Sequence, residues 1–231
     1  MWDGQFKVLS RQLRVIRYDL RGYGRSPMTE VPFAHHEDLR GLLAERRVDR
    51  AYLVGVSLGA LTALHLALEH PEMIRGLVLV GSGLSGYRFT DAATTGQWPA
   101  IDQALQRVDF SLAAELQLRL WVDGPSRLPG DVPTAVRDRV REMMIERYAT
   151  LKRSTVQPLQ EAASRLADIR TPTLILVGEL DVPDIHRIAK LLTTGIQGAR
   201  CVTIPGTAHL PNMEQPEEFN RLILDFMKQV A

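Results

Sequence analysis

Cysteine is almost missing from this chain. Cys201 is the only one, so no internal disulfide can form and a reducing compartment, the cytoplasm, is the expected setting. It sits in an apolar run and reads as a buried strand residue. An excess of charge of one sign is missing too. Lys and Arg number 28 against 27 Asp and Glu, and a net charge of +1 gives no field to hold a nucleic-acid backbone or an anionic membrane. A small molecule is the expected partner. No apolar run approaches the ~20 residues that span a bilayer, and Met1 to Gln5 lacks the basic and apolar stretches of an export leader. Repeats and low-complexity tracts are absent. What is present is apolar material: 45% of the 231 residues are hydrophobic. That suffices for one large core burying roughly 70% of the unfolded surface.

Short apolar runs of strand length alternate with longer helical patterns, as in a mostly parallel sheet covered by helices on both faces, the α/β class. Five strands are expected: Leu13 to Tyr18, Ala51 to Val56, Gly76 to Val80, Thr173 to Val177 and Arg200 to Ile204. Ala60 to Glu69 is apolar nearly all round and predicts a buried central helix stopped by Pro71. A last helix from about Pro216 carries Phe219, Leu222, Ile223, Leu224 and Phe226 at helical spacing. From about Gly83 to Leu166 the alternation breaks into amphipathic helix patterns such as Val136 to Tyr148. So long a connection between core strands reads as a lid or binding element. The expected organisation is core from 1 to 82, a helical cap from 83 to 166, and core again from 167 to 231.

The strongest local signal is Gly55-Val56-Ser57-Leu58-Gly59, a G-x-S-x-G between an apolar strand and an apolar helix. The chemistry requires a serine on a strained strand-to-helix turn, with small residues two positions either side so that the backbones can approach. The turn also presents the N–H of Leu58 at a helix start, where unpaired donors favour developing negative charge. Ser57 is therefore the candidate nucleophile and Leu58 N–H a candidate oxyanion donor.

A serine is a weak nucleophile alone and requires a base oriented by an acid. Of six histidines, His209 is best placed, in the turn-rich Pro205-Gly206-Thr207-Ala208-His209 after the last strand. His65 and His70 read as core or capping residues, and His186 as a helical residue that could line the site. His35-His36, followed by Glu37 and Asp38, invites comparison with a metal site, but adjacent helix residues diverge, and a solvated face is the plainer reading. Asp181 is the candidate acid, in the acidic loop after Thr173 to Val177; Glu179 and Asp184 are rivals that chain position alone does not separate.

With these motifs the chain resembles the α/β-hydrolase superfamily, in particular small capped members similar to 3-oxoadipate enol-lactonases and related esterases. The likeness covers nearly the whole chain. It includes Asp19-Leu20-Arg21-Gly22-Tyr23-Gly24-Arg25-Ser26, which looks like the family's D-x-R-G-x-G-x-S turn, His70-Pro71-Glu72, and His209-Leu210-Pro211-Asn212-Met213-Glu214-Gln215-Pro216. The chain order Ser57, Asp181, His209 is the family's order. Trp121-Val122-Asp123-Gly124-Pro125 looks like the cap of enol-lactonase-type members, which makes Trp121 a candidate substrate contact; Tyr87, Phe89, Trp98 and Phe110 could join it.

The resemblance implies hydrolysis of a small carboxylic ester or lactone through an acyl-enzyme, with no metal or organic cofactor. Two alternatives stand: hydrolysis of a carbon–carbon bond in dienoate ring-cleavage products, and a catalytically weakened ligand-binding or regulatory protein of the same fold. The second rests on one departure. Family members carry further strands and a His-Gly turn ahead of the point where this sequence begins, and no His-Gly pair occurs in it. The expectation is a longer gene product; otherwise Leu13 to Tyr18 must pair directly with Ala51 to Val56.

Overall fold

The computed structural model describes residues 1–150 and 155–230; residues 151–154, inside the expected 83–166 cap, and residue 231 lie outside the described residues. Four strands, β1 (Ala51–Val56), β2 (Ile74–Val80), β3 (Thr173–Gly178) and β4 (Arg200–Ile204), form one sheet in the order β1-β2-β3-β4. Every neighbouring pair is parallel, with Val56 beside Val80 and Val80 beside Leu176. All four carboxyl ends therefore lie at one end of the sheet, where such sheets place their chemistry.

The fifth expected strand does not form. Residues 13–18 join no sheet, and Leu13, Ile16 and Tyr18 are 41%, 38% and 36% exposed. Their apolar pattern suits a strand, but β1 pairs only with β2 among the described strands, so nothing supplies a ladder of hydrogen bonds. Direct pairing of this segment with Ala51–Val56 does not occur.

Helices are α1 (Asp3–Leu9), α2 (His35–Glu45), α3 (Leu58–Glu69), α4 (Ala92–Thr95), α5 (Trp98–Gln106), α6 (Phe110–Gln117), α7 (Thr134–Ala149), α8 (Pro183–Gly195), α9 (Pro211–Glu214) and α10 (Pro216–Gln229). The strand period of two splits the sheet's side chains between two cores. Leu77, Leu79, Ile175 and Val177 join the buried faces of α2, α3 and α8. Val78, Val80, Leu174 and Leu176 join Phe219, Ile223 and Phe226 of α10. β2 and β3 are central, which explains why their runs are apolar without alternation. Edge strand β4 is largely exposed, and Cys201 with it, so the expected burial of that thiol is corrected.

Between β2 and β3 the described residues form helices α4 to α7 and no sheet strand. A single π-helical turn, Leu118–Asp123, follows α6. The insert's entry is pinned by Asp184 of α8, which is fully buried. It accepts hydrogen bonds from Tyr87 Oη (2.6 Å), Asp91 N (2.8 Å), Arg187 Nη1 (2.8 Å) and Thr90 N (2.9 Å). Burial alone would raise this carboxyl's pKa, but those donors win and hold it at about 2.

Candidate active site

Ser57 follows β1 directly and has φ 54° and ψ −113°, a left-handed conformation that costs a non-glycine residue on the order of 1–3 kcal/mol. Both flanking elements hold it there. Ser57 N donates to Val80 O at 2.9 Å, extending the β1–β2 ladder, and Ser57 O accepts from Leu61 N at 3.0 Å in the first turn of α3. A Cβ on Gly55 would run into the backbone of Gly59 and Ala60. At Gly59 it would meet nothing within 4 Å, so only the first glycine of the motif is required by contact.

Asp181 and His209, expected from separate loops, are brought together. Asp181 Oδ2 lies 2.8 Å from His209 Nδ1, both side chains are buried, and Asp181 Oδ1 accepts from Val182 N at 2.8 Å. An ionised carboxylate only accepts, so this contact assigns the imidazole proton to Nδ1 and leaves Nε2 as the basic nitrogen. Gly81, at the end of β2, is the spacer between this pair and the serine's strand. Its φ is 48°, and a Cβ there would lie 2.9 Å from His209 Nδ1 and 3.4 Å from Asp181 Oδ2. The pair thus stands against the residue after Val80, whose carbonyl holds Ser57. Among the described residues no hydrogen bond joins Ser57 Oγ to the imidazole.

The two rival acids have other partners. Glu179 Oε2 accepts from Gly206 N at 2.8 Å, bracing the loop that carries His209, while Asp184 faces the insert. That loop is held from the insert as well. Glu214 Oε1 accepts from Ala208 N at 2.8 Å, and Glu214 Oε2 pairs with Arg127 at 2.7 Å. Arg127 also donates to Val122 O, Asp123 O and Gly206 O. His209 N donates to Trp121 O at 3.2 Å, and the Trp121 ring centroid is 4.6 Å from that of the imidazole.

A model of the alpha/beta hydrolase family matches residues 1–222. The chain belongs to that family. Among curated proteins it is 32% identical to a pimeloyl-[acyl-carrier protein] methyl ester esterase of Edwardsiella ictaluri, over 98% of this chain and 87% of the relative. It is 26% identical to 3-oxoadipate enol-lactonase 1 of Acinetobacter baylyi, over 100% and 84%. A crystal structure of a hydrolase from Pseudomonas aeruginosa superposes with a TM-score of 0.77 at 32% identity, covering 98% of this chain and 84% of that one.

For a hydrolase of this family the insert's aromatics matter next. Phe89 meets Trp121, Tyr87 and Trp98 edge to face. Phe110 instead packs on Tyr148 in a separate cluster, so it drops out of the candidate set. His186 lies in α8 and His70 at the end of α3; His65 is buried, its Nε2 2.9 Å from Ser85 Oγ. His35 and His36 are a clearer correction. His35 is 6% exposed and the His36 side chain 15%, so this is no solvated face: α2 turns the pair inward, and Phe33 meets His35 edge-on.

Arg127, Glu214 and Gly81 escaped the sequence reading. Gly81 had a visible signal, a glycine directly after the apolar run Leu77 to Val80. Glu214 lay inside the His209-to-Pro216 motif but without a role, and Arg127 had no signal, since the two partners lie 87 residues apart.

Proposed function

We propose that this chain is a serine hydrolase that cleaves a small carboxylic ester or lactone through an acyl-enzyme. Ser57 attacks the carbonyl, His209 Nε2 takes its proton, and Asp181 holds the imidazole and stabilises the imidazolium. The Leu58 N–H donates to the oxyanion, and His209 then activates water against the acyl-enzyme. The observation that carries this reading is the buried Asp181–His209 contact of 2.8 Å at the same sheet end as a serine held at φ 54°. The alternating roles require no metal or organic cofactor. Residues 83–166 act as the cap, with Trp121 as the substrate contact nearest the imidazole.

The test is a panel of p-nitrophenyl esters of graded chain length, an enol-lactone and a coloured dienoate, assayed with wild type and Ser57→Ala. Turnover of esters or the lactone, lost in the variant, supports the reading. Ester hydrolysis that survives Ser57→Ala defeats it. Preferential turnover of the dienoate moves the assignment to carbon–carbon hydrolysis.

A further inference from the structure

The Trp121 indole centroid lies 4.6 Å from the His209 imidazole centroid, with the two planes tilted by 42°. That is inside the roughly 6 Å over which an aromatic ring attracts a cation, and indole attracts one more strongly than phenol or phenyl does. Little water competes here, since the His209 side chain is 6% exposed and that of Asp181 1%. The attraction is larger for being desolvated.

The contact is held from three sides. His209 N donates to Trp121 O at 3.2 Å, so backbone and ring of one residue both meet the base. Behind Trp121, the fully buried Asp123 takes a two-pronged contact from Arg137 at 2.7 and 2.9 Å, which fixes the turn Leu118–Asp123. Ahead of it Gly124 has φ 74°, and a Cβ there would run into Leu180 O and meet Ala208 Cβ at 3.3 Å. Leu180 and Ala208 directly precede Asp181 and His209, so the turn presses on the acid loop and the base loop together.

Other charges around the ring cancel. Among the described residues Asp181 is the imidazole's one ion-pair partner. Arg127 and Glu214, which brace the base loop through its backbone, neutralise each other at 2.7 Å, and Asp123 and Arg137 do the same within the insert. When the imidazole takes the Ser57 proton on Nε2, its new charge is met at Nδ1 by Asp181 and across the rings by Trp121.

We propose that Trp121 is a positioning residue for the base, its indole stabilising the imidazolium of His209 and so strengthening His209 as the acceptor of the serine proton. This role is distinct from touching substrate. It rests on the hydrolase reading of Ser57 for its effect on turnover, and on the Trp121–His209 contact alone for its effect on the imidazolium.

Two measurements test it. In the first, NMR follows the His209 Cε1–H signal against pH in the free protein, the signal being identified by its loss in His209→Gln. Trp121→Leu lowers the protonation midpoint by about half to one pH unit, and Trp121→Phe, which keeps a weaker ring, lowers it by less. Water admitted by a smaller side chain would move the midpoint the other way. A midpoint that holds or rises in both variants therefore overturns the proposal.

In the second, hydrolysis of p-nitrophenyl acetate is measured against pH. The acid limb of kcat/KM moves down with the NMR midpoint in Trp121→Leu, and kcat on the plateau falls about threefold while KM changes less, because a less basic imidazole takes the proton less readily. A raised KM with the limb and kcat unmoved makes Trp121 a substrate contact alone and overturns the proposal. If the NMR midpoint moves while wild type turns over no ester, the Trp121 contact stands and the hydrolase reading falls. Ester turnover with an unmoved midpoint has the opposite meaning.

Discussion

Arg127 and Glu214 pair at 2.7 Å with side chains only 10% and 3% exposed, and the pair fastens the insert to the loop that carries His209. Arg127→Met leaves a buried carboxylate without its cation, a loss of about 3–5 kcal/mol. It also frees the Gly206 carbonyl and loosens the Glu214 brace on Ala208. The expected result is a lower unfolding midpoint in denaturant and a kcat reduced more than KM is changed. Arg127→Met combined with Glu214→Gln recovers part of the stability, because no unpaired charge remains. A single variant of wild-type stability contradicts this.

Asp181→Asn removes the ionised acceptor of His209 Nδ1–H. The amide's N–H₂ favours the opposite tautomer, with the proton on Nε2, where it cannot accept from the serine. Kcat is expected to fall by about 10⁴ while the thermal midpoint moves little. Steady-state kinetics beside a calorimetric melt check it, and a loss under tenfold would point to another acid.

His65 makes stability depend on pH. Burial first, and the nearby His36 second, hold its pKa down to about 4. Between about 4 and the unfolded value near 6.5 the unfolded chain binds the extra proton, so this contribution is complete above 6.5 and is lost as pH falls toward 4. The thermal midpoint should drop across that window, and His65→Gln should flatten the drop. Identical slopes in both proteins would assign it to other groups.

How much of this was legible in the sequence follows from how local each signal is. β1 to β4 and α3 were visible because central parallel strands and a buried helix are apolar throughout, and Ser57 because its turn demands a short motif at fixed spacing. Asp181 and His209 were chosen by loop position after strands, with Glu179 and Asp184 left as rivals; the three carboxylates lie within six residues, and which partner each faces was not legible from position, Asp181 meeting His209, Glu179 the Gly206 N–H and Asp184 the insert. Residues 13–18 misled because a strand's pattern says nothing of whether a neighbour exists to pair with it. His35-His36 misled because polar type was taken for exposure, although α2 buries that face.

The central claim is that Ser57 is the nucleophile, and the direct measurement is peptide mapping by mass spectrometry after reaction with an organophosphonate. The account predicts one adduct on the peptide containing Ser57, absent from Ser57→Ala and much slower to form in His209→Ala. An adduct on another residue, or equal labelling of wild type and Ser57→Ala, would contradict it.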